Sequence, residues 1–133
     1  MKRITSAEAK ELNKSFVKTR GKAIDSAIKK KDALSSWFSI DELKEFIATV
    51  EQEGKAKGIT VNGLRIYFGA YPKDAKKPKK DNLSTVFLVP TQPYKSAMQK
   101  DAVEVIEGGN DIEDLGGLNK GTLGFPPSAT YPQ

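Results

Sequence analysis

An α+β fold is predicted for this chain by three observations. Two helix-start signatures, Thr5-x-x-Glu8 and Ser39-x-x-Glu42, each precede apolar residues at helical spacing. Two β-rich runs, Leu64–Phe68 and Thr85–Val89, flank a polar segment. The stretch from Gly108 to Gln133 holds 6 of the 11 glycines and 3 of the 7 prolines, so regular structure is not predicted there. The expected architecture is N-terminal helices and one amphipathic helix packed on a small, mainly antiparallel sheet. The expected organisation is a single domain over 1–107 and an irregular Gly/Pro-rich tail over 108–133.

The first helix is predicted from about Ser6 to Lys18. Thr5 and Glu8 each satisfy a free backbone N–H of the other, and Ala9, Leu12, Phe16 and Val17 recur on one face. Arg20-Gly21 is expected to end or break it. Ile24, Ala27 and Ile28 then predict a second short helix to about Lys30, with Lys29-Lys30-Lys31 at its negative end. Ser35–Ser39 reads as a short strand or extended lead-in. Ser39 and Glu42 form the second capping box, with Phe38 and Leu43 at staple spacing. Ile40, Leu43, Phe46, Ile47 and Val50 give the helix its apolar stripe. Gly54 is expected to fray it and Gly58 to terminate it.

Ile59-Thr60-Val61 and Leu64–Phe68 flank Asn62-Gly63, which reads either as a tight turn or as a bulge in one strand. Alternation puts Leu64, Ile66, Phe68 and Ala70 on one face, Arg65, Tyr67 and Tyr71 on the other. The run Thr85–Val89 is apolar on both faces, predicting a central strand that stops at Pro90. Between them, residues 72–82 read as a long exposed hairpin loop. A short helix is expected between Tyr94 and Ile106. Two readings of the tail are open: packing through Leu115, Leu118, Leu123 and Phe125, or mobility. Trp37, Phe38, Tyr67, Phe68 and Phe87 are expected to be core rather than pocket lining.

Composition excludes whole classes of chemistry. The 133 residues contain no histidine and no cysteine. Imidazole general base catalysis, thiolate nucleophiles, disulfides and Cys/His zinc sites are therefore out. No apolar run suits a membrane helix, and the N-terminus lacks the apolar segment of a signal peptide. A cytoplasmic protein is expected. No glycine-rich phosphate loop is present, and no cofactor is implied. Asp41, Glu42 and Glu45 cluster at a helix start, where anions suit the dipole. The acidic turn Asp111–Asp114 lacks the alternation of an EF-hand loop. Neither is assigned as a catalytic or metal site.

The net charge of +5 is uneven: residues 1–82 carry +8 and residues 83–133 carry −3. Only Arg3, Arg20 and Arg65 are arginines, so bidentate phosphate reading is scarce. The densest charge feature is the loop lysines Lys73, Lys76, Lys77, Lys79 and Lys80. They suit an acidic protein face or a phosphate backbone, and equally solubility and edge protection.

The segments Ser36-Trp37-Phe38-Ser39-Ile40-Asp41-Glu42-Leu43, Arg65-Ile66-Tyr67-Phe68-Gly69 and Thr85-Val86-Phe87-Leu88-Val89-Pro90-Thr91 resemble a family of small uncharacterised bacterial proteins of the Bacteroidetes type. The resemblance covers roughly residues 35–91. It implies one bacterial α+β domain and transfers no activity or catalytic residue, but it draws attention to Arg65. The expected function is a non-enzymatic binding or interaction protein. Arg65, Tyr67, Tyr71, Lys73, Lys76, Lys77, Lys79 and Lys80 would meet an acidic protein or nucleic acid. The alternative is a carboxylate-based enzyme, with or without a divalent metal.

Overall fold

A computed structural model describes residues 1–74, 76, 80–94, 107–119, 121–124 and 126–133. The expected helix between Tyr94 and Ile106, apart from Tyr94 itself, lies outside the described residues, as do Lys77, Lys79 and Phe125.

Helix α1 spans Ser6–Phe16. Thr5 Oγ1 accepts the Glu8 N–H at 3.2 Å and the Glu8 carboxylate accepts the Thr5 N–H at 2.6 Å, completing the predicted box. Arg20-Gly21 does not break the chain direction. A π-helical turn, Val17–Gly21, carries it into α2, Lys22–Ile28. The Thr19 hydroxyl donates to the Ser15 carbonyl at 2.7 Å within this stretch. Lys29 then ends α2 in the left-handed region, with φ at 58°. Strand β1, Ser36–Trp37, is the expected lead-in.

Helix α3 spans Ile40–Ala56. Ser39 Oγ accepts the Glu42 N–H at 3.0 Å. The return bond from Glu42 is not formed, so the second box is only half made. Gly54 does not fray the helix; it is buried inside it. A Cβ there would lie 2.8 Å from the Ile59 carbonyl oxygen and 2.9 Å from Val61 Cγ2. Gly58, at φ +70°, terminates the helix as predicted. Its N–H donates to Lys55 O and the Ile59 N–H donates to Gly54 O, the paired bonds of a Schellman end. Those bonds hold Ile59 against the helix, and Ile59–Val61 form no strand.

Strand β2 spans Gly63–Ala70 and β3 spans Ser84–Gln92. Asn62-Gly63 is not a hairpin turn. The Asn62 N–H donates to Thr91 O at 2.9 Å, and Gly63 lies against Thr91 Oγ1. Two residues opposite one is the arrangement of a bulge. The Gly/Pro-rich stretch supplies two short strands, β4 at Asn110–Asp111 and β5 at Thr122–Leu123, and a 3₁₀ turn at Glu113–Leu115. The sheet order is β2-β3-β4, with β1-β5 a separate antiparallel pair. β3 is thus central, as predicted, and none of its residues is exposed.

β3 runs through Pro90 instead of stopping there. Leu88 exchanges both backbone bonds with Leu118 at 2.8 Å, and Gln92 pairs with Asn110. Pro90 falls where the neighbour changes from one tail segment to the other. Its missing N–H faces that gap, while its carbonyl still accepts the Ile112 N–H at 2.9 Å.

The chain forms two compact units. The first comprises Met1–Trp37, Gly69–Thr85 and Thr122–Gln133; the second comprises Phe38–Phe68 and Val86–Gly121. Ala33 and Leu83 are the buried apolar side chains described in the first; Val50, Leu88 and Ile112 are those of the second. The expectation that the aromatics are core fails for three of them: Trp37 is 64% exposed, Tyr67 37% and Phe68 89%. On α3 the stripe is buried at Val50 and half-buried at Leu43 and Phe46, but Ile40 and Ile47 face solvent. Among the described residues, no helix is long and apolar enough to cross a membrane.

Candidate functional site

The predicted site residues fall in different units, so each group is described within its own. Arg65 and Tyr67 belong to the second unit. Alternation along β2 puts both on one face, and both reach Asp111 of β4. Arg65 Nη1 pairs with Asp111 Oδ1, and the Tyr67 hydroxyl donates to Asp111 Oδ2. Arg65 Nη2 also donates to the Gly109 carbonyl at 2.7 Å. The Tyr67 ring stacks on Phe87 with centroids 5.3 Å apart. The Arg65 pKa is raised, first by its hydrogen bond with the Tyr67 hydroxyl and then by Asp111. The Tyr67 pKa is raised, chiefly because its proton is shared with Asp111.

Of this cluster, Arg65 lines an open cleft of about 340 Å³ together with Asn62, Gly63, Leu64, Thr91, Gly108 and Gly109. Asn62 is fully engaged there. Its amide donates to Gly108 O at 2.8 Å and its side-chain oxygen accepts the Thr91 hydroxyl at 2.8 Å. Arg65 therefore meets its acidic counterpart inside its own unit. An incoming anion would have to compete with Asp111.

Tyr71, Lys73, Lys76 and Lys80 belong to the first unit. The Tyr71 N–H donates to Leu83 O at 3.0 Å, closing the base of the loop. Lys80 Nζ lies 5.3 Å from the centre of the Tyr71 ring, a cation–π distance. The two loop carboxylates are turned onto the loop's own backbone. Asp81 accepts the Asp74 N–H, and Asp74 accepts the Lys76 N–H at 2.9 Å. Lys73, Lys76 and Lys80 are exposed, and none forms an ion pair among the described residues.

What stands beside this loop comes from a distant part of the chain. Lys30 Nζ lies 3.8 Å from Asp81 Oδ2, which brings the Lys29–Lys31 run to the loop's base. Lys31 pairs with Asp25 at 3.5 Å. The Asp25 carboxylate also accepts the Asp32 N–H at 2.8 Å. Asp32, only 1% exposed, accepts the Ser84 N–H at 2.6 Å and the Ser84 hydroxyl. The end of α2 is thereby fastened to the start of β3. Asp32 follows directly on a lysine run, where a solvated carboxylate is the ordinary expectation, so only the fold reveals its burial.

Among the described residues, no three carboxylates gather as a metal site. Asp111 is held by Arg65 and Tyr67, while Glu113 and Asp114 are exposed. No family model, no curated protein and no solved structure matches the chain.

Proposed function

We propose that the protein is a non-enzymatic binding protein whose first unit takes an acidic protein partner on a surface made from Lys29–Lys31 with Lys73, Lys76 and Lys80. The observation that carries this reading is the Lys30–Asp81 ion pair, which joins two lysine clusters far apart in sequence. Charge partition supports it. The first unit contains 15 basic and 6 acidic residues, a net +9; the second contains 7 and 11, a net −4.

An acidic protein suits this surface better than a nucleic acid. Lysine is a flexible point charge without the planar fork that grips phosphate. Tyr71, the aromatic at the loop's base, is already covered by Lys80, so no stacking platform is offered to bases. In this reading Arg65 and Tyr67 shape the second unit by holding Asp111, and they contribute little net charge. A reducing, cytoplasmic setting belongs to the same proposal, since a chain without cysteine loses nothing there.

The test compares a variant with Lys29, Lys31, Lys73, Lys76 and Lys80 changed to glutamine against one with Lys44, Lys55 and Lys57 changed. Binding to poly-L-glutamate and to a mixed-sequence duplex is measured across salt concentrations. The first variant should lose at least about tenfold in affinity for poly-L-glutamate at low salt, and the second should keep it. Equal binding by the two variants overturns the assignment. Tighter binding of wild type to the duplex than to the polypeptide would move the reading to nucleic acid.

A further inference from the structure

The second unit carries an apolar surface that its own described elements leave open. Leu64 lines a cleft of about 280 Å³ with Ile47 and Val50 of α3 and Val61. Ile66 and Phe68 share the face of Leu64 by alternation, yet they are 60% and 89% exposed. Ile47 and Ile40 stand seven residues apart, on one side of α3, and are 41% and 70% exposed.

The same strand is the edge of its sheet. Edge strands are ordinarily protected from pairing by lysine, proline or an unpaired charge. β2 has none of these, although the chain spends 19 lysines elsewhere. Its single charged residue, Arg65, points to the opposite face and is neutralised by Asp111. The backbone on the side of β2 away from β3 is thus presented without electrostatic protection and beside an apolar strip.

We propose that β2 is the pairing edge of a two-fold symmetric dimer, in which the strand runs antiparallel to β2 of a second copy. An antiparallel strand is self-complementary across a two-fold axis, since each copy offers the same alternation of N–H and C=O groups. Along β2, among the described residues, no charge is left uncompensated; Glu51 of α3, which also lines the cleft, brings a carboxylate beside the seam. The area is also sufficient. Phe68, Ile66, Ile47 and Ile40 together expose on the order of 500 Å² per copy, so the pair would bury roughly 1,000 Å², the lower bound of a specific interface. The interface is marginal in size. Its apolar strip, Ile40, Ile47, Ile66 and Phe68, lies in the second unit.

Sedimentation velocity on the full chain from about 5 to about 200 µM reads it directly. Wild type should pass from monomer to dimer across this range. A variant with Ile66→Lys and Phe68→Lys should stay monomeric without a lower Tm, since both side chains are exposed. The absence of native cysteine makes a second readout clean. Ile66→Cys should cross-link to its copy under mild oxidation, and Thr49→Cys, on an exposed position of α3, should not. A wild type that remains monomeric at the highest concentration overturns the proposal and leaves β2 to a foreign strand. Dimerisation of the double lysine variant, or equal cross-linking at both cysteines, overturns it as well.

Discussion

Asp32 shows how much one side chain can hold. Its two carboxylate oxygens satisfy both the backbone and the hydroxyl of Ser84, at a site almost closed to water. Removing it takes the acceptor from both the N–H and the O–H of half-buried Ser84. Asp32→Ala should therefore cost about 2–4 kcal/mol in urea denaturation. A loss under about 0.5 kcal/mol would show that water replaces the carboxylate. Tyr67 gives a different kind of test. Its pKa is raised above the ordinary value of 10.0 by the bond to Asp111. The protonated ring makes that bond, so its contribution is complete below the unfolded pKa and is lost as pH rises through the folded value. Asp111→Ala should bring the Tyr67 titration down toward the ordinary value, seen as tyrosinate absorbance appearing at lower pH. Tyr67→Phe identifies which part of the curve belongs to this ring, and an unmoved curve in Asp111→Ala contradicts the assignment.

At the scale of elements, helix starts were legible and strand limits were not. Capping is decided by residues three apart, and Thr5 with Glu8 and Ser39 with Glu42 stand in plain view. Gly58 is equally local. Strand limits depend on partners. Pro90 is tolerated because the tail changes segment opposite it, and Asn62 is claimed by Thr91 and Gly108 rather than by a turn. Asp111 lies 46 residues from Arg65, and nothing local advertises that pairing. Gly54 was misread for a related reason. Its role is set by Ile59 and Val61 folding back on the helix. Helix propensity favours Gly→Ala by about 1 kcal/mol, but a Cβ at Gly54 meets the Ile59 carbonyl, a backbone atom that yields poorly. The clash should win. Gly54→Ala is expected to lower stability by about 1–3 kcal/mol, and a raised Tm would show that the turn after α3 relaxes freely.

For the whole molecule, the α+β class was readable from periodicity and the helices and antiparallel sheet bear it out. The charge asymmetry was readable too, but not where its border falls. Counted along the chain, the basic excess ends near residue 82, whereas the folded border follows the two units. The sites were legible only as residue types. Arg65 was singled out and proves to be paired; the lysine loop was singled out and proves to have Lys29–Lys31 for company.

The way the first unit is assembled has a consequence for how the protein is made. β1 pairs with β5, Leu34 donates its N–H to Pro127 O, and Gln133 reaches Ser35. Residues 34–37 thus find their partners far along the chain, Ser35 and Gln133 being 98 residues apart. The second unit draws only on Phe38–Phe68 and Val86–Gly121 and can close first. At about 5–20 residues per second, α1, α2 and β1 wait outside the ribosome for several seconds until the closing residues emerge. Trp37 and the lysines of the first 31 residues spend that interval without their final neighbours, and the emergence of residues 122–133 completes the first unit.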